Sequence, residues 1–199
     1  KALGEQLAIE NNIVADVVVP IPDSGVSAAI GFSQKSKIPF ELGIIRSHYV
    51  GRTFIEPSQT IRQFGVKLKH SVNRSCIENK KVILIDDSIV RGTTASKIVK
   101  MVYEAGAKEV HLGISCPPIL HPDFYGIDTP NYNQLIASKS SLKEMTKLVG
   151  AKSLFFLSLN GTYKAMGCEK RNSKTPQFTD HCFTGEYPID VTEILKLNR

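Results

Sequence analysis

The sequence predicts an α/β domain, a mostly parallel sheet flanked by helices, and three observations carry that prediction. Short aliphatic runs recur along the chain: DVVVP at 16–20, LGIIR at 42–46, VILID at 82–86 and VHLGIS at 110–115. Between the last two, TASKIVKMVYEAGAK sets Ala95, Ile98, Val99 and Val102 on one helical face and reaches a stop signal at Gly106. Strands that alternate with helices pair in parallel through right-handed crossovers.

Taken in order, ALGEQLAI at 2–9 has apolar residues at helical spacing, and DVVVP is a buried strand closed by a proline. Residues 26–35 are small and apolar, as a helix packed close to a sheet requires. LGIIR is the next strand of the sheet, VILID the third and VHLGIS the fourth, while SLFFLSL at 153–159 offers a fifth. In the helix between the third and fourth strands, Lys100 and Glu104 stand four apart on the exposed side. Residues 48–73 show no sustained period and mix Gly, Pro, Arg, Lys and Gln. A loop of that length in a compact domain is a lid, a binding loop or a disordered stretch, and its positive charge favours a lid. No repeat or low-complexity linker divides the 199 residues, so one domain is expected.

The composition, 42% hydrophobic and 22% charged, is that of a globular domain. No apolar run approaches the roughly 20 residues of a membrane span. The chain opens on Lys1 without a signal-peptide pattern, which predicts a cytoplasmic protein. A helical pattern running from that first residue suggests a piece of a longer chain. The net charge of +6 gathers between Arg46 and Arg74 and between Lys164 and Lys174, in no compact basic run. A small polyanionic ligand therefore fits better than nucleic acid. Cys76, Cys116, Cys168 and Cys182 include no C-x-x-C pair, so reduced thiols, mostly packed in the core, are expected.

VILIDDSIVRGTT at 82–94 carries the chemistry. In an open α/β sheet, ligands sit outside the carboxyl ends of the strands, where Asp86 and Asp87 stand. Adjacent carboxylates suit the vicinal hydroxyls of a ribose or a partly hydrated Mg²⁺. The next helix offers unpaired N–H groups and a positive dipole end to a phosphate. Ser88, Thr93 and Thr94 add hydroxyl donors, and Gly92 lets the backbone approach. Any one of these residues is explained as a helix cap; the set after a strand is not. The G-x-x-x-x-G-K-[ST] pattern of nucleotide triphosphatases is absent.

These residues resemble the phosphoribosyl pyrophosphate (PRPP) motif of type I phosphoribosyltransferases, most closely that of the amidophosphoribosyltransferase family. DVVVPIPDSG (16–25), YVGRTFIEPSQTIR (49–62), FYGID (124–128) and CFTGEYP (182–188) extend the resemblance over almost the whole chain. It implies the type I fold with a small hood, and a role for each loop. Asp86 and Asp87 would hold the ribose hydroxyls and help place Mg²⁺, with Ser24 a third residue of the metal site. Ser88, Ile89, Val90, Arg91, Gly92, Thr93 and Thr94 would wrap the 5′-phosphate. Asp23, Ser24 and Gly25 would form the pyrophosphate loop. Tyr49 would belong to the lid, and Arg46 and Arg52 would stabilise departing pyrophosphate as catalytic residues.

The implied reaction is displacement of pyrophosphate from PRPP by ammonia, giving 5-phosphoribosylamine for purine synthesis. The implied partners are an N-terminal glutaminase domain lying outside residues 1–199, further copies in a homo-oligomer, and inhibitory purine nucleotides. Some members hold a [4Fe–4S] cluster through a cysteine in HPCFYGID and a C-x-x-C before FTG. Here the first position is Asp123 and the C-x-x-C reads Thr179 to Cys182, leaving Cys182 alone; with two of the needed thiolates gone, no iron–sulfur cluster is expected. Two other readings stay open: a base-salvage phosphoribosyltransferase, which has no reason to carry YVGRTFI or CFTGEYP, and a non-enzymatic PRPP sensor that binds nucleic acid.

Overall fold

The computed structural model describes residues 1–47, 70–127, 129 and 131–193. Its centre is a four-stranded sheet of β1 (Val17–Pro20), β4 (Lys81–Asp86), β5 (Glu109–Ile114) and β6 (Ser153–Phe156). The order is β1-β4-β5-β6 and every pair is parallel. Side chains alternate between two buried faces, which is why the strands read as unbroken apolar runs. Val17, Val19, Val82 and Leu84 point to one core; Val18, Ile83 and Ile85 point to the other.

Helices α1 (Ala2–Glu10) and α2 (Val26–Ser36) cover the second face with Leu7, Ala28, Ala29 and Phe32. The first face receives α4 (Thr93–Glu104) and α6 (Leu142–Val149) through Ile98, Val99, Val102, Met145 and Val149. Burying each of those larger aliphatic side chains is worth roughly 1.5–3 kcal/mol, and α4 has the predicted face. Lys100 and Glu104 lie 3.9 Å apart on its exposed side. Helix α4 ends at Glu104, and Ala105 and Gly106, the latter at φ +96, close it at the expected stop.

Four expectations need correction. LGIIR is not a strand of the parallel sheet: β2 (Ile44–Arg46) pairs antiparallel with β3 (His70–Val72) in a separate ribbon. Ile45 is 57% exposed there, so the run packs one face only. The stretch expected to be one loop over 48–73 therefore ends in a strand from His70, and residues 48–69 lie outside the described residues. SLFFLSL is a strand only to Phe156. Ser158 then caps α7 (Leu159–Ala165), its hydroxyl accepting the Gly161 N–H at 2.8 Å and donating to Glu10 of α1. The four cysteines are all half-buried and free rather than mostly in the core, although Cys76 and Cys116 lie against it.

Shorter elements complete the described residues: α3 (Arg74–Ile77), a 3₁₀ turn at Tyr132–Gln134, α5 (Ile136–Lys139) and α8 (His181–Thr184). Beside the sheet, the loop after β5 and the C-terminal segment hold each other. The Leu120 and His121 N–H groups donate to the Cys182 carbonyl, and the Tyr187 hydroxyl donates to Pro122. Arg171 is clamped by Asp180 and Glu186, and the Tyr163 hydroxyl donates to Asp180 at 2.7 Å. Among the described residues no helix is long and apolar enough to cross a membrane.

Candidate functional site

Three strand ends meet at the carboxyl edge of the sheet. Pro20 pairs with Ile85 across β1 and β4, and Asp86 pairs with Ile114 across β4 and β5. The Ile21 N–H continues the ladder to the Ile85 carbonyl at 2.8 Å, and Ser115 donates to the Asp86 carbonyl through both its N–H and its hydroxyl. Asp86 is thereby fixed between the two loops that leave β1 and β5.

The 21–25 turn lies directly against this point. Its Gly25 N–H donates to the Ile21 carbonyl, and the Pro22–Asp23 peptide is cis. A Cβ on Gly25 would stand 2.3 Å from the Ile85 carbonyl oxygen, so only glycine lets the turn close on β4. Asp23 and Ser24 are exposed beside it. Arg46, at the end of β2, reaches over and binds Asp23 at 2.6 Å. The structure thus brings the expected catalytic Arg46 to the 21–25 turn, where a carboxylate already neutralises it. Tyr49 and Arg52 lie outside the described residues.

Across the edge, Asp86, Ser88 to Thr94 and Ala95 line a cleft of about 530 Å³, within the usual range for a small-molecule site. Asp86 Oδ1 accepts the Asp87 N–H at 2.9 Å, and Asp87 Oδ1 accepts the Ser88 N–H at 2.8 Å. Ile89 turns its side chain into the core at 4% exposure, so within the loop only its main chain faces a ligand. Gly92 adopts φ +75 before α4, and among the described residues no side chain caps the helix. Its first N–H groups are left to a ligand or solvent, with Thr93 and Thr94 exposed at the same end.

Charge in the cleft is unbalanced. Burial, reinforced by Asp87, pushes the Asp86 carboxyl up from 3.8 to about 8. A carboxylate that resists ionisation beside a second carboxylate calls for a cation or for hydroxyl donors. The pair therefore fits Mg²⁺, an oxygen-seeking ion held by one or two carboxylates and water. Burial and then Asp87, Asp86 and Cys182 push the Cys116 thiol up to about 12, which makes it a neutral wall next to the pair.

Two contributors have no motif in the sequence. Arg91 donates to the Gln134 carboxamide, and the Ile136 N–H donates to the Val90 carbonyl at 2.8 Å. The 132–139 segment thus braces the 88–94 loop from 43 residues away in sequence. Distance along the chain hid the contact; the Gln-Leu-Ile stretch carries no signal of its own.

Comparisons with known proteins identify the family and the fold. The phosphoribosyl transferase domain model matches residues 5–122, more than half of the chain. Amidophosphoribosyltransferase of Rhizobium etli is 61% identical over 194 residues, covering 97% of this chain and 39% of that protein. The Bacillus subtilis amidophosphoribosyltransferase is 51% identical over 191 residues, covering 96% and 40%. The solved B. subtilis glutamine PRPP amidotransferase, complexed with ADP and GMP, superposes with a TM-score of 0.85 at 50% identity, covering 96% of this chain and 42% of that one. The chain spans about two fifths of the length of these relatives.

Proposed function

The chain belongs to the phosphoribosyl transferase domain family, and on that premise we propose that it catalyses the attack of ammonia on PRPP, releasing pyrophosphate and forming 5-phosphoribosylamine. The observation that carries the proposal is the uncapped N-terminus of α4, placed beside the under-neutralised Asp86–Asp87 pair in one cleft. A phosphate and a ribose diol, joined as they are in PRPP, satisfy both halves at once.

The roles divide by element. The main chain from Ser88 to Thr94, with the hydroxyls of Ser88, Thr93 and Thr94, binds the 5′-phosphate against the helix dipole. Asp86 and Asp87 accept from the ribose hydroxyls and orient C1 toward the turn at Asp23, Ser24 and Gly25, where the pyrophosphate lies. Asp86, Asp87 and Ser24 would hold Mg²⁺, which would supply charge neutralisation for the leaving group. Arg46 exchanges Asp23 for pyrophosphate oxygen as negative charge develops, and Arg52 joins it from the 48–69 segment with Tyr49. No side chain forms a covalent bond in this scheme: ammonia is the nucleophile, and excluding water from the cleft favours it over hydrolysis.

The same reading places residues 1–199 as one phosphoribosyltransferase domain of a larger homo-oligomeric protein, with a glutaminase domain supplying ammonia and purine nucleotides inhibiting. Pyrophosphate release from PRPP by the whole protein, with ammonium at mildly alkaline pH and with glutamine in parallel, tests it. Asp87→Asn, which keeps size and loses charge, is expected to abolish Mg²⁺-dependent PRPP binding by calorimetry with the fold intact. Unchanged affinity in that variant overturns the assignment.

A further inference from the structure

We infer that Asp123 and His181 form a metal-free clasp that fastens the C-terminal segment to the loop leaving β5, at the place where cluster-bearing members of the family use thiolates. Both residues are buried, at 7% and 4% exposure. One carboxylate oxygen of Asp123 accepts the N–H groups of Tyr125 and Ile127 at 2.8 and 2.9 Å, which folds the 123–127 turn. The other accepts from His181 Nε2 at 2.7 Å and meets the Cys182 thiol at 3.8 Å. The histidine ring is held between Tyr125, edge-on at 5.0 Å, and Tyr187, at 5.1 Å between centroids. Asp123 therefore joins two segments 58 residues apart in sequence and has its acceptor sites filled.

The residues do not fit an iron–sulfur cluster. Such a cluster needs four thiolates, and the positions at Asp123 and Thr179 offer none. A single ion is the rival, since ligand atoms of Asp123, His181 and Cys182 lie within 4.8 Å of one another. Two features weigh against it. Tetrahedral zinc spreads neighbouring N and O ligands to roughly 3.3 Å, whereas these two share a proton at 2.7 Å. Among the described residues His181 Nδ1 is buried with no partner, while a metal-bound imidazole normally anchors its second nitrogen to an outer carboxylate, carbonyl or water. An N–H on Nε2 and a bare lone pair on Nδ1 match the network as it stands.

A double-mutant cycle on the whole protein tests the clasp without any measurement of PRPP chemistry, so its outcome is separate from that of the proposed function. Asp123→Ala, His181→Ala and their combination are compared by the rate of trypsin cleavage after Arg171, which is shielded while the C-terminal segment stays docked. Each alanine is expected to accelerate cleavage roughly ten- to hundredfold, the cost of stranding a buried partner. The combination should be no faster than the worse single variant. His181→Gln, whose carboxamide can still donate to Asp123, should recover most of the protection even if the alanine variants do not fold. EDTA and added Zn²⁺ or Fe²⁺ should leave the wild-type rate unchanged. Additive alanine effects, a chelator that accelerates wild-type cleavage, or about one bound metal per chain after anaerobic purification would each overturn the inference.

Discussion

Removing the charge that the proposed site needs should make the empty protein more stable. Asp86→Asn keeps the oxygen that accepts the Asp87 N–H at 2.9 Å and deletes the carboxylate that burial and Asp87 push from 3.8 to about 8. The folded state holds this proton more tightly than the unfolded chain, so wild-type stability falls as pH rises from about 3.8 to about 8. Below that window both states are protonated and the penalty vanishes; above it the penalty is complete. At ~1.4 kcal/mol per unit, the ceiling is roughly 6 kcal/mol. Asp86 lies half-buried at the mouth of a cleft, and solvent screening reduces this to about 2 kcal/mol. For a chain of this size that is a gain of roughly 4–8 °C in Tm. Thermal scans of both proteins in metal-free buffer at pH 5, 7 and 8.5 should show the gap widening with pH, and Mg²⁺ should narrow it by stabilising only the wild type. A gap independent of pH, or a variant less stable at pH 8.5, would refute the charge argument.

Other outcomes follow from the same geometry. Because a cation must evict the Asp86 proton, Mg²⁺-dependent PRPP affinity should rise with pH and level off above about 8; calorimetry in buffers of different ionisation enthalpy should find proton release, and a flat profile counts against it. Gln134→Ala should raise the KM for PRPP about fivefold, the loss of one charge-assisted hydrogen bond, with kcat within about twofold, while Gln134→Glu retains wild-type KM. Gly25→Ala should cost about 1–3 kcal/mol in thermal or urea unfolding and most of the PRPP affinity, because the new Cβ meets backbone that cannot yield. A Gly25→Ala protein with normal stability and affinity would mean that the turn is not pressed against β4.

What was legible in the sequence depended on whether the cause was local. VILID and VHLGIS announce themselves because their side chains are buried on both faces, which leaves a continuous apolar run. LGIIR carries the same composition yet joins a ribbon, because apolarity states that a segment is packed and not which strand it packs beside. Helix α6 went unread despite a signal: Ser141 and Glu144 form a capping box, and Leu142 to Val149 have an amphipathic pattern. The segment from 168 to 188 has no period at all. Its order comes from Arg171, Asp180, Tyr163 and Glu186 meeting across the chain, and such pairs leave no periodic trace.

The site divides along the same line. Asp86 to Thr94 could be read directly, because a strand end, a loop and a helix N-terminus are contiguous and their chemistry follows from backbone geometry. The identity of the partners across the cleft could not. Asp23 and Arg46 both stood out, one for the pyrophosphate turn and one for catalysis, but nothing in either stretch shows that they bind each other at 2.6 Å. That pairing changes the physical account of Arg46. An arginine whose charge is already balanced gains little from pyrophosphate in the ground state, since one anionic partner replaces another. In the proposed reaction its contribution would grow as the leaving group acquires charge that Asp23, fixed at one carboxylate, does not match. Under the proposed function, a preference that strengthens along the reaction would raise kcat rather than lower KM, so the ion pair would tune Arg46 toward the departing group instead of weakening it.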